Sequence, residues 1–261
     1  MRIGLCIEMA FADLPFEERI RKAAECGFRN VEMWFVDRSF KGEPDQLAGI
    51  AEAHDVAITN TVIGAPNGSI GGGLTNPAHR KRWLARAAMT LEFNRQAGIP
   101  ATIVCTGNEV KGMSHGKMLA SVIAGLKPTV EMAEKMGVTL LLEPLNTRYD
   151  HRGYFLSSSD EGAEICRTIG SSRLKLLFDC YHMQIMEGDL VNHIKRNIDV
   201  IGHFHSAGVP GRHELYQGEI DYPFLLAQIE ALGYQGVFGL EYLPSMDHEN
   251  SVRKTLAYLT R

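Results

Sequence analysis

No run among the 261 residues of this chain approaches the roughly 20 consecutive apolar positions that a membrane-spanning helix needs. The opening MRIGLCIEMAF turns acidic too early for a secretory signal. A cytoplasmic protein with no membrane partner is therefore expected. Cysteine is sparse: Cys6, Cys26, Cys105, Cys166 and Cys180 are odd in number, widely spaced and without a C-x-x-C, which excludes a disulfide framework and a zinc knuckle. Basic residues form no cluster and the formal net charge is -4, so the chain lacks the electrostatic footprint of a nucleic-acid binder. No linker or low-complexity segment divides it. The three glycines at 71–73 are not followed by G-K-[ST], which argues against a phosphate loop and leaves a lid or a flexible loop. A small molecule is the expected partner.

What the chain does have is regular alternation. RIGLCIE, NVEMW, VAITNTVI, ATIVC, VTLLLE, LKLLFD, VIGHFH and VFGLE read as strands, several of them preceded by a helical stretch that closes on glycine. Helical patterns fall near 15–26, 44–54, 77–97, 115–136, 158–169, 184–197, 222–232 and 247–259. Strand and helix in strict alternation imply parallel strands with crossover helices, and eight units predict an α/β fold of one closed (β/α)8 barrel, the TIM barrel, spanning 1–261. An open doubly wound sheet is the alternative, less well supported because no G-x-G-x-x-G follows the first strand. Such barrels often pair through their outer helices, so a homo-oligomer stays open.

The chemistry gathers at strand ends. VTLLLE closes on Glu143, LKLLFD on Asp179, VIGHFH on His205 and VFGLE on Glu241. In a barrel these four successive ends adjoin around half of the mouth, and a buried carboxylate must be paired, hydrogen-bonded or metal-bound. One acidic residue at a strand end is usually a helix cap or loop anchor; four in a row predict a site for a hard or borderline divalent cation, Mn2+ or Mg2+. His203 shares the face of His205 one layer deeper and reads as its support. His182 suits substrate contact or capping equally. Arg148 and Arg212, in the long loops at 146–158 and 207–222, offer guanidinium groups to a substrate carboxylate, with a loop-fixing ion pair as the plainer reading.

The runs EPLNTR from Glu143, GYFL from Gly153, DCYHMQIMEGDL from Asp179, AGVPGRHE from Ala207, GEIDYP from Gly218 and LEY from Leu240 resemble the hydroxypyruvate isomerase family. That family belongs to the xylose-isomerase-like TIM barrels, alongside the ketose 3-epimerases. The resemblance implies that Glu143 and Glu241 are the catalytic acid/base pair as well as metal ligands, that Asp179 and His205 complete the ligand set, and that His182 and Arg212 contact substrate. The implied reaction moves a proton between adjacent carbons through an enediolate, converting hydroxypyruvate to tartronate semialdehyde or acting on a related short keto acid. His205 stands where hydroxypyruvate isomerases typically carry glutamine; H-x-H is the epimerase pattern. A ketose 3-epimerase acting on a neutral sugar is therefore the alternative, with a non-catalytic sugar- or acid-binding barrel behind it.

Overall fold

The computed structural model describes residues 1–260. Eight parallel strands close in chain order: β1 (Arg2–Cys6), β2 (Asn30–Glu32), β3 (Ala57–Val62), β4 (Ala101–Val104), β5 (Thr139–Leu142), β6 (Leu174–Asp179), β7 (Ile201–Ser206) and β8 (Val237–Leu240). Pairing of Arg2–Leu5 with Val237–Leu240 shuts the cylinder, as the alternation of the sequence predicts. β4 through β7 are buried except for one residue at or near the start of each, and β8 is buried throughout, which is the consequence of a parallel sheet filled within and covered by helices without.

The outer helices are α1 (Phe16–Glu25), α2 (Pro44–Ala53), α3 (Arg80–Ala97), α4 (His115–Met136), α5 (Ser159–Ile169), α6 (Cys180–Met186), α7 (Leu190–Asn197), α8 (Tyr222–Ala231) and α9 (His248–Leu259). Helices α3 and α4 stop at Gly98 and Gly137, whose φ values of 69° and 73° lie in the left-handed region that a side chain would disfavour. One expectation is corrected: the single helix read over 184–197 is two. α6 begins directly after β6 because Asp179 caps it, accepting from the N–H groups of Tyr181 and His182. It ends because Gly188 and Asp189 turn left-handed at φ 67° and 45°, a conformation that no helix continues through.

The loops following the strands crowd one end of the barrel. The glycine-rich loop is packed rather than splayed: residues 71–75 are buried, and the Thr75 hydroxyl donates to the Asn108 carbonyl at 2.7 Å. No described helix is long and apolar enough to cross a membrane.

Candidate active site

Glu143 and Glu241 each follow the last residue of their strand, β5 and β8, while Asp179 closes β6 and His205 is the penultimate residue of β7. The barrel brings these four side chains together, all buried, with one potential ligand atom from each lying within 4.8 Å of the others. His205 Nδ1 stands 3.5 Å from Glu143 Oε1 and 3.6 Å from Glu241 Oε2. Both distances exceed a good hydrogen bond. Glu143 Oε1 and His205 Nδ1 consequently have no hydrogen-bond partner, although neither touches solvent. Two orphaned buried atoms aimed at one point, among three carboxylates and an imidazole, fit a divalent cation better than they fit one another.

Glu32, which the sequence reading did not single out, holds this imidazole. It is buried inside the barrel, where Oε2 takes His205 Nε2 at 2.7 Å and Oε1 takes His203 Nε2 at 2.9 Å. His205 thus donates Nε2–H to Glu32 and keeps Nδ1 for the cluster, the carboxylate–histidine arrangement common behind metal ligands. Burial opposes the charge on Glu32, yet His205 and His203 outweigh it and hold the carboxyl far below its ordinary range. Glu32, His203 and His205 could themselves be taken for a cation site. Their facing atoms are already spent in short hydrogen bonds, which makes them a support.

The two glutamates differ. Glu241 is clamped: Trp34 Nε1 donates to Oε1 at 3.2 Å and Arg212 Nη2 to Oε2 at 2.5 Å. Arg212 lies over the Tyr181 ring, 5.4 Å from its centroid, and occupies the left-handed region at φ 60°, a strained conformation of the kind that persists where function requires it. Glu143 has no such clamp. Burial pushes its carboxyl up to about 7, against the pull of His205, and burial likewise raises Asp179 to about 6 despite His205 and Arg212.

A cavity of about 270 Å³ opens over Glu143 and Glu241, walled on one side by Trp34, Phe35, Val62, Ile103 and Leu145, with His151, His182 and Arg212 among its polar lining. Of the residues proposed from sequence to meet substrate, His182 and Arg212 line it and Arg148 does not. Arg148 is exposed, reaches the Met186 carbonyl at 3.4 Å, and faces a separate surface hollow beside Tyr149 and Glu219. The loop after β5 coils back on Asn146, turning Arg148 outward and His151 inward. Glu219 accepts from Gln184, and Asp221 caps α8.

Residues 20–261 match the family described as xylose isomerase-like TIM barrel. A 2-oxo-tetronate isomerase of Cupriavidus necator is 34% identical over 247 residues, covering 93% of each chain. Hydroxypyruvate isomerase of Escherichia coli K12 is 29% identical over 257 residues, covering 97% of each. Among solved structures, an AP endonuclease of family 2 from Brucella melitensis superimposes with a TM-score of 0.89 at 26% identity, covering 98% of each chain.

Proposed function

The chain belongs to the xylose isomerase-like TIM-barrel family, in the branch of the hydroxypyruvate isomerases, and from that premise we propose that it isomerises a short 2-oxo acid carrying a hydroxyl on the adjacent carbon. Hydroxypyruvate and 2-oxo-tetronate, the substrates in its relatives' names, are the first candidates. The observation that carries this reading is the contrast between two carboxylates over one cavity: Glu143, which no clamp holds, and Glu241, held at both oxygens by Trp34 and Arg212. A carboxylate that no protein donor clamps can both accept and return a proton. A cavity of about 270 Å³ suits three or four carbons, and the net charge of -4 favours a small molecule over a phosphate backbone.

In this mechanism a carboxylate, Glu143 or Glu241, takes the proton from the hydroxyl-bearing carbon, an acid returns one to the neighbouring carbonyl carbon, and the hydroxyl proton passes to the former carbonyl oxygen, exchanging alcohol and carbonyl. Glu143 is the better placed base, because no clamp like that of Trp34 and Arg212 on Glu241 holds its carboxylate. Arg212 fixes Glu241 and brings positive charge to the side of the cavity where the substrate carboxylate would lie. The apolar wall around Trp34 and Phe35 excludes water from the carbanion-like carbon. A divalent ion held by Glu143, Asp179, His205 and Glu241, Mn2+ or Mg2+ by the chemistry of that donor set, would supply the charge that polarises the carbonyl and its neighbouring hydroxyl.

Purified enzyme assayed with Mn2+ or Mg2+ is expected to turn over hydroxypyruvate, 2-oxo-tetronate or both, and neutral ketoses poorly. The variants Glu143→Gln and Glu241→Gln are expected to stay folded and lose on the order of 10²-fold or more in kcat. Near-normal rates in both variants would end the acid/base assignment. Preferred turnover of ketoses would favour 3-epimerisation, the outcome that His205 suggests by its H-x-H setting. Absence of any metal-dependent exchange of substrate hydrogen with deuterated water would leave a binding protein.

A further inference from the structure

His182 lies in the first turn of α6, fully buried, with its ring edge-on to His151 at 5.4 Å and to Tyr181 at 5.2 Å. Its Nδ1 is 2.7 Å from the side-chain amide nitrogen of Asn146. The orientation of that amide is set by its other end: Asn146 Oδ1 accepts from the backbone N–H groups of Tyr149 at 3.0 Å and Asp150 at 3.1 Å. The atom facing His182 is therefore the NH2 group. It has two hydrogens and two acceptors, Asp150 Oδ2 at 2.5 Å and His182 Nδ1 at 2.7 Å. Asp150 is held in turn by the Tyr181 hydroxyl, which donates to the same Oδ2 at 2.9 Å.

An Nδ1 that accepts from an amide carries no proton. An imidazole whose Nδ1 accepts is neutral, and its one hydrogen sits on Nε2. Nε2 is buried without a hydrogen-bond partner. The facing Asp179 Oδ2 is 3.6 Å away, beyond hydrogen-bond reach, and the side chain lines the cavity beside Glu143 and Arg212.

We propose that Asn146 is a positioning residue that locks His182 in the Nε2–H tautomer, making His182 an obligate hydrogen-bond donor to a substrate oxygen. The oxygens of an α-hydroxycarbonyl compound gain negative charge as the neighbouring carbon loses its proton; a donor strengthens as that charge grows, while the opposite tautomer would present a repelling lone pair. The role toward substrate rests on the isomerase reading; the tautomer does not.

The test is nitrogen-15 NMR of the Mg2+-loaded enzyme labelled in its histidine rings, with the His182 signals assigned by their loss in His182→Gln. The expected spectrum has a protonated Nε2 and an unprotonated Nδ1 for His182. The paired exchange Asn146→Asp with Asp150→Asn keeps the acceptor for the two backbone N–H groups and the bond between positions 146 and 150, but presents His182 with a carboxylate. It is expected to move the hydrogen to Nδ1 and to lower kcat/KM by on the order of 10²-fold with the fold retained. Protonated Nδ1 in the unmodified enzyme overturns the proposal even if the exchanged variant fails to fold. So does an exchanged variant that keeps Nε2–H, or one that inverts the tautomer with kcat/KM unchanged. Failure of every 2-oxo acid as substrate would instead strike the proposed reaction and leave the NMR result standing.

Discussion

Glu32 decides which nitrogen His205 presents to the cluster, through a hydrogen bond of 2.7 Å. Replacing it by glutamine keeps the shape but removes the charge that holds the imidazole and raises its basicity. Glu32→Gln is expected to weaken Mn2+ binding about 10- to 100-fold, read by titration calorimetry, while the far-ultraviolet circular dichroism stays unchanged. The four residues at the cluster were legible in the sequence because each ends an apolar run, where a charge is conspicuous. Glu32 was not, because it lies within NVEMW, where a charged residue in mid-strand reads as facing out. Glu32 instead closes β2 with its carboxylate inside the barrel, against His203 and His205. Its signal was the solitary charge inside an otherwise apolar strand. Arg148 illustrates the converse: its nearness to Glu143 in sequence says nothing of where a loop folded around Asn146 will aim it.

At the scale of the strand, room for the Glu32–His205 pair comes from its neighbour. Gly239 in β8 stands beside His205 in the register, and a methyl group built on it would overlap Glu32 Oε1 and approach His205 Cδ2 to 2.8 Å. The clash is with the buried hydrogen-bonded pair rather than with a flexible side-chain end. Gly239→Ala is therefore expected to destabilise the protein by about 1–3 kcal/mol, read from the denaturant midpoint, and to weaken cation binding as well. A variant of full stability and affinity would show that the pair has slack to move. The elements themselves were readable where local chemistry decides them, as in the glycines that end α3 and α4. The division of the expected helix at 184–197 also had a local mark, the Gly188–Asp189 pair, two residue types that tolerate the left-handed region and take φ 67° and 45° there.

The whole molecule carries a cluster that opposes its own folding when no cation neutralises it. Glu143 and Asp179 have folded-state values of about 7 and about 6, raised by burial above their ordinary values of 4.5 and 3.8. A carboxyl so raised binds more protons in the folded than in the unfolded chain throughout that interval, so stability falls as pH rises through it and reaches its low plateau above the folded value. Enzyme freed of metal by chelation is thus expected to lose melting temperature from about pH 4.5 to pH 7. His205, raised by Glu32 and Glu241 against burial, adds loss in the same direction, since its stabilisation is fully present below the ordinary histidine value and fades as pH climbs through the folded one. A divalent ion binds the deprotonated ligands, so saturating Mn2+ should raise the melting temperature more at pH 8 than at pH 5.5. Differential scanning calorimetry at the two pH values measures both trends. An equal shift at each pH would show that the ion binds somewhere other than among Glu143, Asp179, His205 and Glu241, because only a site whose ligands must shed protons couples metal to pH in this sense.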